Sequence, residues 1–215
     1  MTQKERQDRS KEEICRAAME EFGTLGYDKV TMERICGNHG ISKGMMYHYY
    51  SNKDELFLLC VERTFTDLKA HVERDMGELE GQTFLDTIKN FFMIREYYFQ
   101  LHPKERMIFE EVLLHPPKHL VAQTQGLRCP IRELNRQLIR QIVKKMPLRP
   151  GVDPQMAARY LESVEYFFQS VMQNYQGGHG GTDLHAMFET AGEILDMVLF
   201  GIMRQSETEG QSTSA

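Results

Sequence analysis

Apolar positions recur at Ile14, Ala18, Phe22 and Leu25, the spacing of one helical face. Ser10 with Glu13 three positions later has capping-box spacing, so the first helix is predicted to open there. Residues 1–9, polar and mixed in charge, read as a flexible arm. Gly26 fits the residue that ends such a helix. Thr31 caps a second, short helix that buries Ile35 and Cys36, and Gly40 stands where a sharp turn calls for positive φ. Ser42 caps a third helix through Tyr49. Asn52 followed by Glu55 opens a long fourth helix with Leu56, Leu59, Cys60, Leu68 and Val72 near one face, closed by Gly77 and Gly81.

The same period continues to the C-terminus, with no alternating strand pattern. Thr83 can start a helix carrying Leu85, Ile88, Phe91, Phe92, Tyr98 and Phe99. His102-Pro103 breaks it, because proline suits the first turn of the next helix, which carries Met107, Ile108, Val112 and Leu113 up to Pro116-Pro117. A longer helical stretch, interrupted near Gly126 and Pro130, ends at Met146-Pro147. Asp153-Pro154 then pairs a cap with proline at the first helical position. The last two helices, 157–175 and 184–202, have apolar stripes wide enough for a core face and something more, and are joined by the loop from Gly177 to Gly181. Gln205 to Ala215 has the composition of a disordered tail.

Composition narrows the class. The 215 residues are 41% hydrophobic and 27% charged, which describes a soluble globular chain. No apolar run approaches the length of a membrane span, and the polar N-terminus lacks the apolar core of a secretory signal. Cys15, Cys36, Cys60 and Cys129 form no Cys-x-x-Cys pair, which excludes a zinc ribbon and fits a reducing cytoplasm. The net charge of −5 argues at first sight against a nucleic-acid partner, but its distribution is uneven. Residues 1–53 carry nine Lys/Arg and eight Asp/Glu, and the remainder 17 and 23. The acidic half masks a roughly neutral N-terminal segment that is free of acids from Arg34 to Lys53.

That segment, short helix, glycine turn, short helix, has helix-turn-helix grammar. Ile35 and Ile41 can pack the two helices together. Ser42 caps the second and leaves its first amides facing outward, Lys43 is a long donor at the leading edge, and Gly44 admits close backbone approach. Tyr47, His48 and Tyr49 add donors for phosphates, and Lys53 can neutralise another. The run Thr31-x3-Ile35-x4-Gly40-Ile41-Ser42-Lys43-Gly44-x2-Tyr47-His48-Tyr49-Tyr50-x2-Lys53-x2-Leu56, preceded by Ala17-Ala18-x3-Phe22-x3-Gly26-Tyr27-x2-Val30, resembles the tetracycline-repressor (TetR) family over about residues 10–60.

The resemblance implies an all-α fold. A three-helix DNA-binding domain (1–53) would stand on a helical ligand-binding and dimerisation domain (54–204), paired into an Ω-like homodimer. It implies that Lys43, Gly44, Met45, Tyr47, His48, Tyr49 and Lys53 face double-stranded DNA, a palindromic operator, with Thr31 and Ser42 at backbone-contacting caps. Met45 departs from the small or polar residue common there. It cannot donate a hydrogen bond but can touch a thymine methyl, so operator preference would differ from relatives. Cys36, where alanine is common, reads as a buried filler.

The function expected is a ligand-responsive regulator, a cytoplasmic repressor released by a small hydrophobic or aromatic effector. Phe91, Phe92, Tyr98, Phe109, Glu162 and Tyr166 would line its pocket, where Glu162 or Glu165 beside such rings would instead favour a cation. The fourth helix would carry the message between domains. Two other readings stay open: an activator or effector-independent DNA binder on the same fold, and a helical ligand-binding or scaffolding protein that never meets DNA. No catalytic motif stands out, and no cofactor is implied. Glu110-Glu111, and Glu162 with Glu165, read as solvated helix faces. His115 and His119 have the spacing of a metal pair, but Pro116-Pro117 lie between them and break the regular turn, so no metal site is assigned. His179 and His185 read as solvated.

Overall fold

The computed structural model describes residues 2–77 and 84–163, together with Met197 and Leu199. The described chain is helical. In order, α1 is Gln3–Leu25, α2 Met32–His39, α3 Lys43–Tyr49, α4 Lys53–Gly77, α5 Phe84–Leu101 and α6 Pro103–Leu114. A 3-10 turn at Lys118–Leu120 precedes α7, Val121–Leu127, and α8, Cys129–Lys145. A further helix, α9, is described over 154–163. The helices expected beyond it and the C-terminal tail lie outside the described residues, apart from Met197 and Leu199.

Most starts and stops are local chemistry. Thr31, Ser42 and Asn52 accept from the backbone N–H of Arg34, Met45 and Glu55 at 3.1, 3.1 and 3.0 Å, each cap contributing about 1 kcal/mol. Gly40 ends α2 at φ 65°, ψ 21°, a left-handed conformation that a Cβ disfavours. Pro103 opens α6, and Asp153 accepts from Met156 N–H at 3.1 Å as α9 begins. The start of α1 differs from expectation. The helix opens at Gln3, not Ser10, because Thr2 and Glu5 form the capping box, with Glu5 Oε2 accepting from Thr2 N–H at 2.8 Å. Residues 3–9 are therefore helix and not a flexible arm. Gln, Lys, Glu and Arg are good helix formers, and Glu5–Arg9 and Glu12–Arg16 place acid before base at i,i+4.

The chain forms two compact units, Met1–Glu80 with Phe91–Leu134, and Gly81–Asn90 with Asn135–Ala215. In the first, α1 packs against α6, α4, α2 and α3. Its core is Ile14, Ala18 and Phe22 of α1, Ile35 of α2, Met46 of α3, Leu56 and Phe57 of α4, and Ile108 of α6, each 1% exposed or less. Gly23 lets α6 approach: a Cβ there would lie 2.5 Å from Lys104 Cβ and 2.8 Å from its Cα. The Lys104 ammonium then pairs with Glu20. In the second unit, Ile139, Ile142 and Val143 of α8 and Ala157 and Leu161 of α9 are buried. Glu162 lies 3.5 Å from Arg140 and 4.0 Å from Arg136.

Candidate nucleic-acid interface

A helix used for recognition needs one face anchored and the other open. Met46 is the anchor of α3, fully buried, with Ile35 at 0% and Ile41 at 4% exposure beside it in the core. Lys43, Gly44, Tyr47 and His48 are exposed, and their spacing puts them on one side of α3. Met45 and Tyr49 are half-buried at its edges. The two caps, Thr31 and Ser42, are exposed as well. Met46 is thus the buried residue of α3, with Lys43, Gly44, Tyr47 and His48 exposed.

Several of these side chains already have partners. Tyr47 donates its hydroxyl to Glu33 of α2 at 3.2 Å. His48 and Tyr49 make an edge-on ring contact at 4.8 Å, and the Lys11 ammonium stands 5.9 Å from the Tyr49 ring centre. Lys53 turns inward. Its ammonium donates to the carbonyls of Tyr27 and Val30 at 3.2 and 3.4 Å and sits 4.0 Å from the Tyr27 ring centre. An ammonium has three donors, so one is left for a phosphate.

Behind this face lies a carboxylate that pattern reading missed. Glu21, 6% exposed, occupies the apolar stripe of α1, three positions after Ala18. It accepts from Arg34 Nε at 2.6 Å and Asn38 Nδ2 at 2.7 Å, and meets His39 Nε2 at 3.2 Å, all on α2. Burial alone would raise its pKa. The hydrogen bonds from Asn38, Arg34 and His39 and the Arg34 charge outweigh that and hold it below the usual carboxylate value. A depressed carboxylate stabilises the fold above its unfolded pKa and loses that contribution as pH falls through the folded value. Glu21→Gln is therefore expected to lower stability by about 1–2 kcal/mol at neutral pH. Its denaturant midpoint should converge with that of the original chain as pH falls through the depressed folded value of Glu21, below which both side chains are neutral. A constant gap at every pH would contradict this account.

The helix order and the exposed face of α3 have counterparts among known proteins. Residues 14–60 match the family model described as bacterial regulatory proteins, tetR family. Over these residues the chain is similar to that family. The chain is 35% identical over 72 residues to the HTH-type transcriptional repressor SCO4008 of Streptomyces coelicolor, a match covering 34% of this chain and 38% of that relative. It is 24% identical over 157 residues to the HTH-type transcriptional regulator UidR of Escherichia coli K12, covering 71% and 76% of the two chains. In structure it is similar to the fatty acid degradation regulator FadR of Bacillus halodurans, with a TM-score of 0.65 and 16% identity over 86% of this chain and 94% of that one. That likeness concerns the fold.

The residues expected to line an effector pocket are only partly placed. Phe91 and Tyr98 are buried, and Phe109 is half-buried between Phe65 at 5.7 Å and Phe99 at 4.6 Å. Tyr98 continues this aromatic series to His102 at 4.3 Å and His71 at 5.0 Å. Thr64, one residue before Phe65, has a fully buried hydroxyl without a hydrogen-bond partner among the described residues. Glu162 faces two guanidinium groups of its own unit. The side chain of Phe92, together with Tyr166, Glu165, His179 and His185, lies outside the described residues. Glu111 is half-buried rather than solvated, with its pKa raised by burial. Among the described residues no helix is long and apolar enough to cross a membrane, and no cluster of His, Cys, Asp and Glu could hold a metal ion.

Proposed function

We propose that this chain is a homodimeric, effector-responsive repressor that binds a palindromic operator. The observation that carries the reading is the division of α3. Met46 is sealed into the core, while Lys43, Gly44, Tyr47 and His48 stand in solvent on a segment that matches the family model. Lys43 would read a base edge in the major groove. Tyr47, His48, Tyr49 and the remaining donor of Lys53 would hold phosphates, with the caps Thr31 and Ser42 at the backbone and Met45 against a thymine methyl. The last two apolar stripes would pair with their copies, setting two readers about 34–36 Å apart per helical turn or somewhat further. The name of the Streptomyces relative supports the repressor sign.

A small apolar or aromatic effector is supported by the series Phe65, Phe99, Phe109 and Tyr98, where the buried Thr64 hydroxyl would be a polar anchor. Glu162 would stay with its arginines, which favours an uncharged ligand over a cation. The effector would act by favouring one reader spacing over another, and a coupling of about 1–3 kcal/mol changes affinity roughly 5- to 150-fold.

Lys43→Ala is expected to weaken binding to a duplex selected from a random pool by about 10- to 100-fold, the equivalent of roughly 1–3 kcal/mol of base readout. It should also relax sequence preference, measured by fluorescence anisotropy at fixed salt. Unchanged affinity and preference would place α3 away from the groove.

A further inference from the structure

Three elements of the first unit meet at one side chain. Tyr27, 6% exposed in the α1–α2 connection, donates its hydroxyl to Asp54 Oδ1 in the first turn of α4. His119, in the 3-10 turn after α6, brings Nε2 to 2.9 Å from Asp54 Oδ2 and 3.3 Å from the Tyr27 oxygen. Both neighbours are acceptors toward that nitrogen, so Nε2 carries a hydrogen and the other ring nitrogen takes the second proton. Protonation then converts a neutral hydrogen bond to a carboxylate into a charge-assisted one. The His119 side chain is 58% exposed, so protons reach it from solvent.

The surroundings make this a grip on the reader and not a surface ornament. Lys53 holds the other side of the same ring and two carbonyls of the same loop. That loop runs directly into Thr31, the cap of α2. From α6, the Glu111 carboxylate faces the Tyr27 backbone N–H, and Lys104 pairs with Glu20 of α1. The charged and titratable groups around the imidazole are Asp54, Asp28 and Glu111 on the acidic side, Lys53 and Lys118 on the basic side, and His115 at the end of α6. His119 contacts Asp54 and Tyr27. Its influence runs through Asp54 and Tyr27 to the loop and to α4.

We propose that His119 is a positioning residue for the DNA reader, a latch from the α6–α7 turn onto the α1–α2 loop and α4 that tightens when the imidazole is protonated. The inference rests on the DNA-binding reading above and adds to it a residue and a pH response. In a repressor released by its effector, the effector-free arrangement is the one that binds the operator, so a latch that favours this arrangement raises affinity. A charge-assisted bond is stronger than a neutral one, so the gain is expected on the acid side and its loss on the alkaline side.

The test compares the original chain with His119→Gln on a labelled duplex selected from a random pool, at fixed salt, at about pH 6 and about pH 8. The other histidines are common to both proteins, so the ratio of affinities isolates residue 119. That ratio is expected to be about threefold larger at the lower pH, the size of a solvent-exposed pair. Asp54→Asn should flatten the pH response in the same way, and the double variant should add nothing to it. A ratio equal at both pH values, including equal weakening at both, overturns the inference and leaves DNA binding standing. An original chain that retains no duplex from the pool overturns both.

Discussion

Met46→Asp is expected to abolish DNA binding and to lower stability by about 4–5 kcal/mol, at the extreme end of single substitutions. Met46 is 0% exposed and is the buried residue of α3. In a helix the neighbouring backbone amides are already engaged: Met46 N–H bonds to Ser42 O at 3.0 Å, and Tyr50 N–H to Met46 O at 3.0 Å. A carboxylate there would have neither water nor a donor, and uptake of a proton would still leave an unpaired polar group. Because α3 has only seven residues, it cannot hold its shape without this contact. Urea unfolding with duplex binding on the same sample measures both effects. Met46→Leu, a volume-conserving change, should cost less than about 1.5 kcal/mol and keep binding. An Asp variant with the original unfolding midpoint would mean that α3 does not depend on this anchor.

Phe57→Ala is expected to cost about 3–5 kcal/mol. The ring is 0% exposed and meets Phe22 at 5.2 Å and Tyr27 at 5.0 Å, both edge-on, the geometry that adds to burial. Its loss leaves a cavity where α1, the α1–α2 loop and α4 join. Tyr27 would lose the surface that holds its ring under Lys53 and its hydroxyl toward Asp54 and His119. The variant should therefore show the flattened pH response of His119→Gln in addition to a lower urea midpoint, whereas Phe57→Leu should retain most of both. A midpoint shift below about 1 kcal/mol would show that the junction closes over the gap. A normal pH response in a strongly destabilised variant would separate the latch from this core.

These two residues also show where sequence reading succeeds and stops. The helix-turn-helix was legible because its parts are adjacent. Thr31, Gly40 and Ser42 act within three or four positions of themselves, through caps and one left-handed turn. Ile35 and Ile41 fell on the inner side for the same reason. The identity of the anchor did not follow, because Met46 stands in a run of methionine and tyrosine residues of similar size, and only packing chooses among them. Glu21 sat on an apolar stripe, and that misplacement was a signal. Its meaning required Arg34, Asn38 and His39, which lie 13 to 18 positions away on α2. The apolar period begins after Ser10, so it points to Ser10 as the helix start and not to Thr2. A polar helix with its own cap has no such period to reveal it.

What this sequence determined alone is its helical architecture, the turn and caps of the reader, and the residues eligible to face DNA. All of these arise from bonds and steric limits spanning a few residues. Tertiary structure decided which of the polar groups are tied up inside the molecule. Tyr27 and His119 are 92 positions apart, Asp54 and His119 65, Glu20 and Lys104 84. No local propensity encodes such pairs, because a hydrogen bond acts over about 3 Å and only the packing of α6 against α1 brings these partners that close.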